Sequence, residues 1–379
     1  MNVINNNKLS RVVFLCDFFS SYGGTEYYNA LLAECLIKNG ISVRIYIGER
    51  PRQSYWVNRL NALGVEYKYP KKFHTDLEDD EIEKNFIAEI ITEINDWKPA
   101  VIHVHPFKKM AINWLINSDS DKKIPIVATE WTIPHPIAAH WFDYRTKKYI
   151  NNVSAYIATC NEVAKSIPEY HDYKGRVVHI PHLIYPSIVN ILRMPENIES
   201  VGCIARLSPE KGVDILINAW SIVSKKHPKA ILHLYGLGPE YKSLKLLSET
   251  LGLKNNIIFE GTYPPFAGID TVAARHKIFV QPSLFETIPT SLIELMLRGR
   301  VMIATDVGGV HELINEQTGL LIPSNNINKL AETIDGLLSN TNDLARIGEQ
   351  AKSFASDIYD LENITKDIIK LFEEVSIST

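Results

Sequence analysis

Two cations stand five residues apart in the segment Arg206–Gly212, which reads RLSPEKG. The apolar run Ser200–Ala205 before it predicts a buried strand, and a helical pattern at about Val213–His227 follows. At the carboxyl end of a strand, Arg206 and Lys211 can both approach one anion, with the amino end of the helix behind them. A guanidinium binds phosphate oxygens as a fork, and an ammonium binds them as a point charge. The spacing therefore fits a phosphate site, but ordinary surface charges on a solvated turn would show the same residues.

Two carboxylates lie in a second segment with the same pattern of strand, turn and helix. Glu286 falls in the turn, and Glu294 falls in the helix that follows it. Proline is tolerated in the first turn of a helix, so the backbone around Pro289 offers the helix-terminal amides of Ile288 and Thr290 to a diphosphate or a sugar hydroxyl, while Pro289 itself has no N–H. Carboxylates accept hydrogen bonds from sugar hydroxyls. Either glutamate alone would be explained equally well as a partner of the helix dipole or as an exposed helix residue.

The elements that would hold these segments alternate between short β-branched runs and longer helical periods. This alternation is typical of parallel sheets with crossover helices, so we predict an α/β fold with doubly wound, Rossmann-like sheets. One series runs from a strand at Arg11–Asp17 to a strand at Val177–Ile180. A second series begins at Ser200–Ala205 and continues to a strand at Val301–Ala304. Two such units in sequence imply that they face each other across a cleft, where strand ends and helix starts meet a ligand.

Two domains are expected in a chain of 379 residues. The proline-containing segment Pro181–Asn197 has no clear period and is the predicted linker. We place the first domain at residues 1–185 and the second at residues 198–358. An amphipathic pattern at about Leu361–Val375 predicts a last helix within residues 359–379, which we expect to pack back on the first domain.

Composition favours an ordinary globular enzyme over a nucleic-acid or membrane-spanning protein. Hydrophobic residues make up 45% of the chain and charged residues 22%, and the net charge of −4 gives no reason to expect a nucleic-acid partner. No apolar run approaches the ~18 residues that a spanning helix needs. The four cysteines are widely spaced, so we interpret them as reduced core residues of a cytoplasmic protein.

Read together, these motifs resemble the family 4 retaining glycosyltransferases of GT-B fold. Glu286 and Glu294 are separated by seven residues and follow Pro282–Ser283, with the Arg206–Gly212 segment upstream, as in that family. The resemblance continues through much of the chain, and almost without interruption in its second half. The supporting segments are Gly23–Glu26 (GGTE), Leu234–Pro239 (LYGLGP), Thr305–Glu312 (TDVGGVHE) and Thr318–Leu321 (TGLL).

The resemblance implies roles for the residues that match. Those matching Arg206 and Lys211 bind the donor diphosphate and stabilise the leaving group. The residue matching Glu294 holds the nucleotide ribose, and the one matching Glu286 contacts the donor sugar. Glycines matching Gly23 and Gly24, and the amides at 288–290, approach the donor from opposite domains, where a missing Cβ lets backbone come close.

The activity implied is transfer of a hexosyl group, with retention, from a UDP- or GDP-linked sugar to an acceptor hydroxyl. No metal and no cofactor are expected, because the two cations can offset the diphosphate charge. The acceptor would be a carbohydrate or a glycolipid, in glycan, polysaccharide or glycolipid biosynthesis. A sugar-nucleotide epimerase, a phosphorylase or a non-catalytic nucleotide-sugar-binding module of the same architecture remain as alternatives.

The acceptor side departs from the family pattern. Where the family often ends a strand with Thr-x-His, this chain has Thr129–Trp131, which reads TEW. Trp131 therefore occupies the histidine position, and no acceptor-side histidine is assigned by motif. His105 and His135 are the candidates to replace it in space, with Glu130 and Trp131 as neighbours, although a lone histidine at a strand end is more often structural.

Two further motifs have a simpler explanation than function. Asp119–Asp121 (DSD) spells a metal-binding motif, but it lies in a polar turn with lysines beside it, and no third ligand is evident. Gly236-x-Gly238 lacks the third glycine of a dinucleotide fingerprint, since Tyr241 stands there. The segment Pro136–Ile150 mixes aromatic and cationic residues, which suits either peripheral contact at the inner face of a membrane or a packed helix with a charged outer face.

Overall fold

The computed structural model describes residues 9–17, 19, 23–51, 54–70, 79–105, 109–118, 124–130, 146–186, 199–265 and 268–377. Contacts between residues divide the chain into two units. The first unit comprises residues 1–183 together with 361–379, and the second comprises residues 184–360.

The described part of the first unit contains a seven-stranded parallel sheet in the order β3-β2-β1-β4-β5-β6-β7. Its interior strand β1 is an apolar run with five of its six residues buried, as expected where helices cover both faces of a sheet. The strands are β1 (Arg11–Cys16), β2 (Ser42–Ile47), β3 (Glu66–Lys68), β4 (Val101–Val104), β5 (Ile126–Glu130), β6 (Ala155–Ala158) and β7 (Arg176–His179).

Helices connect these strands and supply the layers on the sheet. Helix α1 ends where Gly40 adopts a φ of +79°, the left-handed conformation that commonly follows the last turn of a helix. The helices are α1 (Gly24–Lys38), α2 (Ser54–Ala62), α3 (Asp79–Trp97), α4 (Lys109–Asn117), α5 (Thr146–Tyr149) and α6 (Asn161–His171). The last helix of the chain, α13 (Leu361–Ile377), also belongs to this unit, and the ring of its Phe372 lies 5.8 Å from that of His103 on β4.

The second unit contains, within the described ranges, a six-stranded parallel sheet in the order β10-β9-β8-β11-β12-β13. One face packs against α7 and α11 in a core that includes the fully buried Trp220. The strands are β8 (Ser200–Ile204), β9 (Ile231–Tyr235), β10 (Ile257–Gly261), β11 (Ile278–Gln281), β12 (Val301–Thr305) and β13 (Gly319–Ile322). The helices are α7 (Val213–Lys226), α8 (Tyr241–Thr250), α9 (Gly268–Ala273), α10 (Thr290–Met296), α11 (Ile327–Ser339) and α12 (Leu344–Ile358).

Both sheets confirm the predicted fold class of parallel-sheet α/β units. The predicted strands lie within a residue or two of the observed ones, and the helix expected after the turn at Glu286 is the short α10, Thr290–Met296. It stops there because Gly299 takes a φ of +67° and the amide of Arg300 donates to the carbonyl of Leu295, which closes the helix end. Across the described ranges, no helix is long and apolar enough to cross a membrane.

Candidate active site

The loop that follows β8 presents both predicted cations. Arg206 is exposed, and the described residues include no ion-pair partner for it. Lys211 closes a short 3-10 turn, Pro209–Lys211, and lies just before the first residue of α7. Between them, the side chain of Ser208 donates to the carboxylate of Glu210 at 2.5 Å, and this hydrogen bond stabilises the turn.

The loop that follows β11 rests directly on this turn. The amides of Leu284 and Phe285 donate to the carbonyl of Glu210 at 2.8 and 3.3 Å. Gly212 has a φ of +60°, and a Cβ placed on it would lie 2.3 Å from the carbonyl oxygen of Pro282. Only glycine permits so close an approach of the two backbones. The loops after β8 and β11 are therefore joined through their main chains.

A third loop, after β12, fixes the backbone of Glu286. A Cβ on Gly308 would lie 2.0 Å from the carbonyl oxygen of Glu286, and Gly308 itself has a φ of +53°. The next amide, of Gly309, donates to the carbonyl of Thr287 at 2.7 Å. The carboxyl ends of three neighbouring strands thus meet at Glu286, as parallel topology predicts.

Lys211 and Glu286 are brought into direct contact. The ammonium Nζ of Lys211 lies 2.5 Å from Oε1 of Glu286, and the two side chains are 18% and 10% exposed. Two residues that the sequence predicts to be functional, seventy-five positions apart, therefore form one ion pair at the carboxyl edge of the sheet. Arg206 stands on the same loop as Lys211 and adds a second positive charge.

Helix α10 begins immediately after this pair. Pro289 occupies the position before the helix, with φ −69° and ψ 126°. The first backbone hydrogen bonds of the helix run from Leu292 and Ile293 to the carbonyl of Pro289. The amide of Thr290 precedes them, as expected for the first turn of a helix. Ile288 is half-buried in the loop just before.

Glu294 lies further along α10 and is buried. The guanidinium of Arg298 donates from Nη1 to the backbone carbonyl of Glu294 at 2.9 Å, and its Nε lies 2.5 Å from the carboxylate of Asp270 on α9. Burial first, and then the negative charge of Glu294, raise the pKa of Tyr263. Glu294 therefore sits beside a tyrosine in a segment anchored by a buried ion pair.

Two residues that the sequence reasoning missed also contact Glu286. Ser283 donates from its hydroxyl to Oε1 of Glu286 at 3.1 Å, and the side-chain amide of Gln281 lies 3.4 Å from the same oxygen. Both are buried. The available signal was the polar residue that ends the otherwise apolar strand Ile278–Gln281, which reads IFVQ.

In the first unit, the glycine loop leads into α1. Gly23 precedes the helix with φ −81° and ψ 167°, and its carbonyl accepts from the amide of Tyr27 at 3.2 Å. Gly24 is the first helical residue. The backbone at Gly23 is of a kind that any residue adopts, so its conformation alone does not require glycine.

His105 follows β4 and is 1% exposed. Its Nδ1 lies 2.9 Å from the backbone carbonyl of Thr129, which can only accept, so Nδ1 is the donor. The ring lies 4.7 Å from that of Tyr28, which also packs 5.1 Å from the ring of His182. Glu130 ends β5 and is buried.

The remaining acceptor-side candidates, Trp131 and His135, lie outside the described residues. The same holds for Asp119–Asp121 and for most of Pro136–Ile150 and of the predicted linker.

The chain shares its architecture with solved structures of the GT-B fold. HepE from Anabaena, solved in complex with UDP, aligns with a TM-score of 0.78 over 96% of this chain and 100% of that one, at 19% sequence identity. Two parallel-sheet α/β units of this kind define the GT-B fold, which is the fold that the sequence predicts.

Two family descriptions match consecutive parts of the sequence. Residues 22–187 match Glycosyltransferase Family 4, and residues 186–354 match Glycosyl transferases group 1. Together the matches run through most of the chain, which belongs to the family 4 glycosyltransferases. The resemblance inferred from the motifs is confirmed.

Curated relatives match shorter regions. An uncharacterized glycosyltransferase of Haemophilus influenzae is 25% identical over 216 residues, which are 54% of this chain and 60% of the relative. The poly(ribitol-phosphate) alpha-N-acetylglucosaminyltransferase of Staphylococcus aureus is 30% identical over 154 residues, 39% of this chain and 30% of the relative. The chain thus spans less than two thirds of the length of either protein.

Proposed function

We propose that this protein is a retaining glycosyltransferase that moves a hexosyl group from a UDP- or GDP-linked sugar to an acceptor hydroxyl. The observation that carries the proposal is the Lys211–Glu286 ion pair, with Arg206 on the same loop, at the carboxyl edge of the second sheet. Family membership supports the reaction class. The complex of HepE with UDP supports a uridine donor by analogy.

Arg206 and Lys211 bind the diphosphate. An ammonium has three N–H donors, and one of those on Lys211 is directed at Glu286, which leaves others for phosphate oxygens. As the bond between sugar and phosphate breaks, its electron pair stays on the phosphate oxygen, and the negative charge there grows. Fixed donors aimed at such a charge lower the barrier by roughly 3 kcal/mol each. Two cations on one loop therefore supply the stabilisation that a metal ion gives elsewhere.

Retention follows from attack on the face that the phosphate leaves. The acceptor oxygen forms its bond to the anomeric carbon on that face, and the departing phosphate oxygen takes the acceptor proton. The ion pair with Lys211 and the hydrogen bond from Ser283 hold the carboxylate of Glu286 through Oε1. The role of Glu286 is to accept a hydrogen bond from a hydroxyl of the donor sugar, while Glu294 accepts a hydrogen bond from the ribose.

The acceptor is a carbohydrate or a glycolipid, and the enzyme works in the cytoplasm, with a lipid-linked acceptor presented at the inner face of the membrane. The Staphylococcus relative is named for transfer to a polymer, which supports a role in glycan or polysaccharide synthesis. His105 and Glu130 are the described candidates to meet the acceptor.

Binding of a panel of UDP- and GDP-linked hexoses, followed by transfer assays, tests the proposal. Lys211→Ala and Glu286→Ala should each lower donor turnover by about 10²–10³-fold, because each removes a group aimed at the transferred sugar or its leaving phosphate. Lys254→Ala and Glu249→Ala are matched controls, since both residues are exposed in the same unit.

Near-native turnover by both site variants would show that the donor site lies elsewhere. Absence of binding to every member of the panel would overturn the function itself. Turnover of donor without any acceptor, and with change of the sugar configuration, would identify an epimerase instead.

A further inference from the structure

The two carboxylate oxygens of Glu286 are in different situations. Oε1 faces three donors: Nζ of Lys211 at 2.5 Å, Oγ of Ser283 at 3.1 Å and Nε2 of Gln281 at 3.4 Å. Among the residues that the structure describes, none donates to Oε2. A carboxylate oxygen has about two lone-pair sites, so three donors leave Oε1 no capacity for a ligand. Any hydroxyl that Glu286 binds must therefore reach Oε2.

Gln281 and Ser283 form a small chain of hydrogen bonds behind this carboxylate. The amide of Gln281 donates to the hydroxyl of Ser283 at 2.9 Å, and that hydroxyl donates onward to Glu286. Both side chains are at most 3% exposed. A hydroxyl that accepts one hydrogen bond while donating another is polarised, which strengthens the bond that it donates.

The backbone beneath Ser283 is held as well. Its carbonyl accepts from the hydroxyl of Thr305 on β12 at 2.6 Å and from that of Ser324 at 3.4 Å. Ser283 is therefore fixed through both its carbonyl and its side chain, and its hydroxyl has little freedom to leave Glu286.

The neutral donors Gln281 and Ser283 can hold the carboxylate of Glu286 when the ammonium of Lys211 binds a phosphate. If Lys211 were the sole partner of Glu286, a diphosphate that drew the ammonium away would also release the carboxylate. Gln281 and Ser283 carry no charge, and within the described ranges their side chains donate to Glu286 and, from Gln281, to Ser283. They therefore hold Oε1 whether or not Lys211 has turned to a phosphate.

We propose that Gln281 and Ser283 are positioning residues, which hold Glu286 by Oε1 so that Oε2 accepts a hydroxyl of the donor sugar independently of the diphosphate on Lys211. This inference rests on the proposed function, since it takes a nucleotide sugar as the ligand. It assigns recognition of the sugar to a unit of three side chains on one strand end and its loop.

Calorimetric titration of Ser283→Ala and Gln281→Met with two pairs of ligands tests the inference. The pairs are UDP with UDP-glucose and GDP with GDP-mannose, and the quantity compared is the Kd of the nucleotide sugar divided by that of its diphosphate. In each variant this ratio should rise about tenfold in the pair that binds, the usual effect of losing one hydrogen bond to a charged group. General damage to the fold would weaken both ligands and leave the ratio unchanged.

Ser248→Ala is the matched control, because Ser248 is also a buried serine of the second unit, with its hydroxyl bonded to the carbonyl of Lys245 on α8. Its ratio should equal that of the wild type. If Glu286→Ala raises the ratio and neither Ser283→Ala nor Gln281→Met does, the positioning role is wrong while the donor site stands. If the wild type binds none of the four ligands, the proposed function fails first, and this inference with it.

Discussion

The two units hold their candidate residues by different forces. In the second unit, Lys211 and Glu286 face each other as opposite charges. In the first unit, His105 is almost fully buried, bonded to a backbone carbonyl and packed on the ring of Tyr28. A charged ligand can compete for an ion pair by replacing one partner, whereas it cannot replace aromatic packing without opening the core. The second unit therefore presents charged groups with which a charged ligand can pair, without any contribution from the first unit.

Both units contain buried histidines with lowered pKa values. In the first unit, burial lowers the pKa of His103 to about 3 and that of His182 to about 4, and both lie in the cluster of rings around Tyr28. In the second unit, burial lowers the pKa of His276 to about 3. These histidines are therefore neutral at pH 7, so both units carry an acid-sensitive core, and the second also carries charges at its strand ends.

The largest effect is expected from Gly308→Ala, which disrupts the close contact between the backbones of Gly308 and Glu286 in the second unit. The new Cβ would lie 2.0 Å from the carbonyl of Glu286, at a φ of +53° that L-residues rarely adopt. We expect a loss of about 4 kcal/mol in the free energy of unfolding of the second unit, since both a clash and backbone strain are introduced. Denaturant unfolding followed by hydrogen exchange on peptides from each unit measures it.

Gly336→Ala is the matched control for that change. Gly336 lies within α11 with no atom within 4 Å of a built Cβ, so alanine there should raise stability by about 0.5–1 kcal/mol. Equal effects from both substitutions would mean that the loop contact contributes nothing.

The next largest effect is expected from Asp270→Ala, which leaves a buried cation without its carboxylate. The Arg298 side chain is 0% exposed and pairs with Asp270 at 2.5 Å. Breaking a buried pair from one side should lower the stability of the second unit by about 3 kcal/mol. If Glu294 holds the ribose as proposed, this variant should also weaken binding of the nucleotide, because Arg298 donates to the carbonyl of Glu294. Unchanged unfolding of Asp270→Ala in denaturant would refute the anchoring role.

An intermediate effect on the first unit is expected from acid. The folded pKa of His103, about 3, lies below its ordinary 6.5, so the unfolded chain takes up the proton first as pH falls. Stability is complete above pH 6.5 and declines below it, by about 2 kcal/mol for this histidine between pH 7 and pH 5. His103→Leu should remove about that much of the acid sensitivity.

Urea unfolding of the first unit at the two pH values measures this difference. His311→Gln is the control, because His311 is a half-exposed histidine of the second unit. An unchanged pH profile in His103→Leu would place the acid sensitivity elsewhere.

The smallest effect is expected from Glu374→Ala, which removes a surface contact of α13 in the first unit. Arg176 and Glu374 are 49% and 39% exposed and lie 2.7 Å apart. Exposed pairs contribute little, so stability should fall by about 0.5 kcal/mol, in contrast with Asp270→Ala. Melting temperatures of the two variants, measured side by side, check the contrast. A loss as large as that of Asp270→Ala would mean that α13 depends on this pair rather than on its apolar face.

Much of the fold could be predicted because its strands are apolar runs of ordinary length. Strand β1 and helix α1 follow from hydrophobic spacing and from the glycine that ends the helix. Helix α6 shows the limit of this reasoning, since it continues through Pro168 where the residue type predicts a break. Tertiary packing overrides local preference there, and a single sequence does not reveal it.

The candidate site divides in the same way. Lys211 and Glu286 could be predicted as members of one site, because both follow parallel strands whose carboxyl ends lie at one edge, although their ion pair was not predicted. The contact of Gln281 could not be predicted, because a polar residue at the end of a strand does not show which atom its side chain will bind. Its contacts with Ser283 and Glu286 depend on how the loop after β11 turns back on the strand end, which only the structure supplies.

The glycine contacts described above also bear on how new specificities arise. At Gly212 and Gly308 the loops meet main chain to main chain, and the backbone of Thr287 is tied to Gly309. Side chains at Thr287 and Ile288 can therefore be exchanged without redirecting the chain that carries them. In the second unit, the backbone contacts that fix the loops are thus separate from the side chains at these two positions. Donor preference can therefore change by substitution of single side chains while the geometry of the charged residues stays constant.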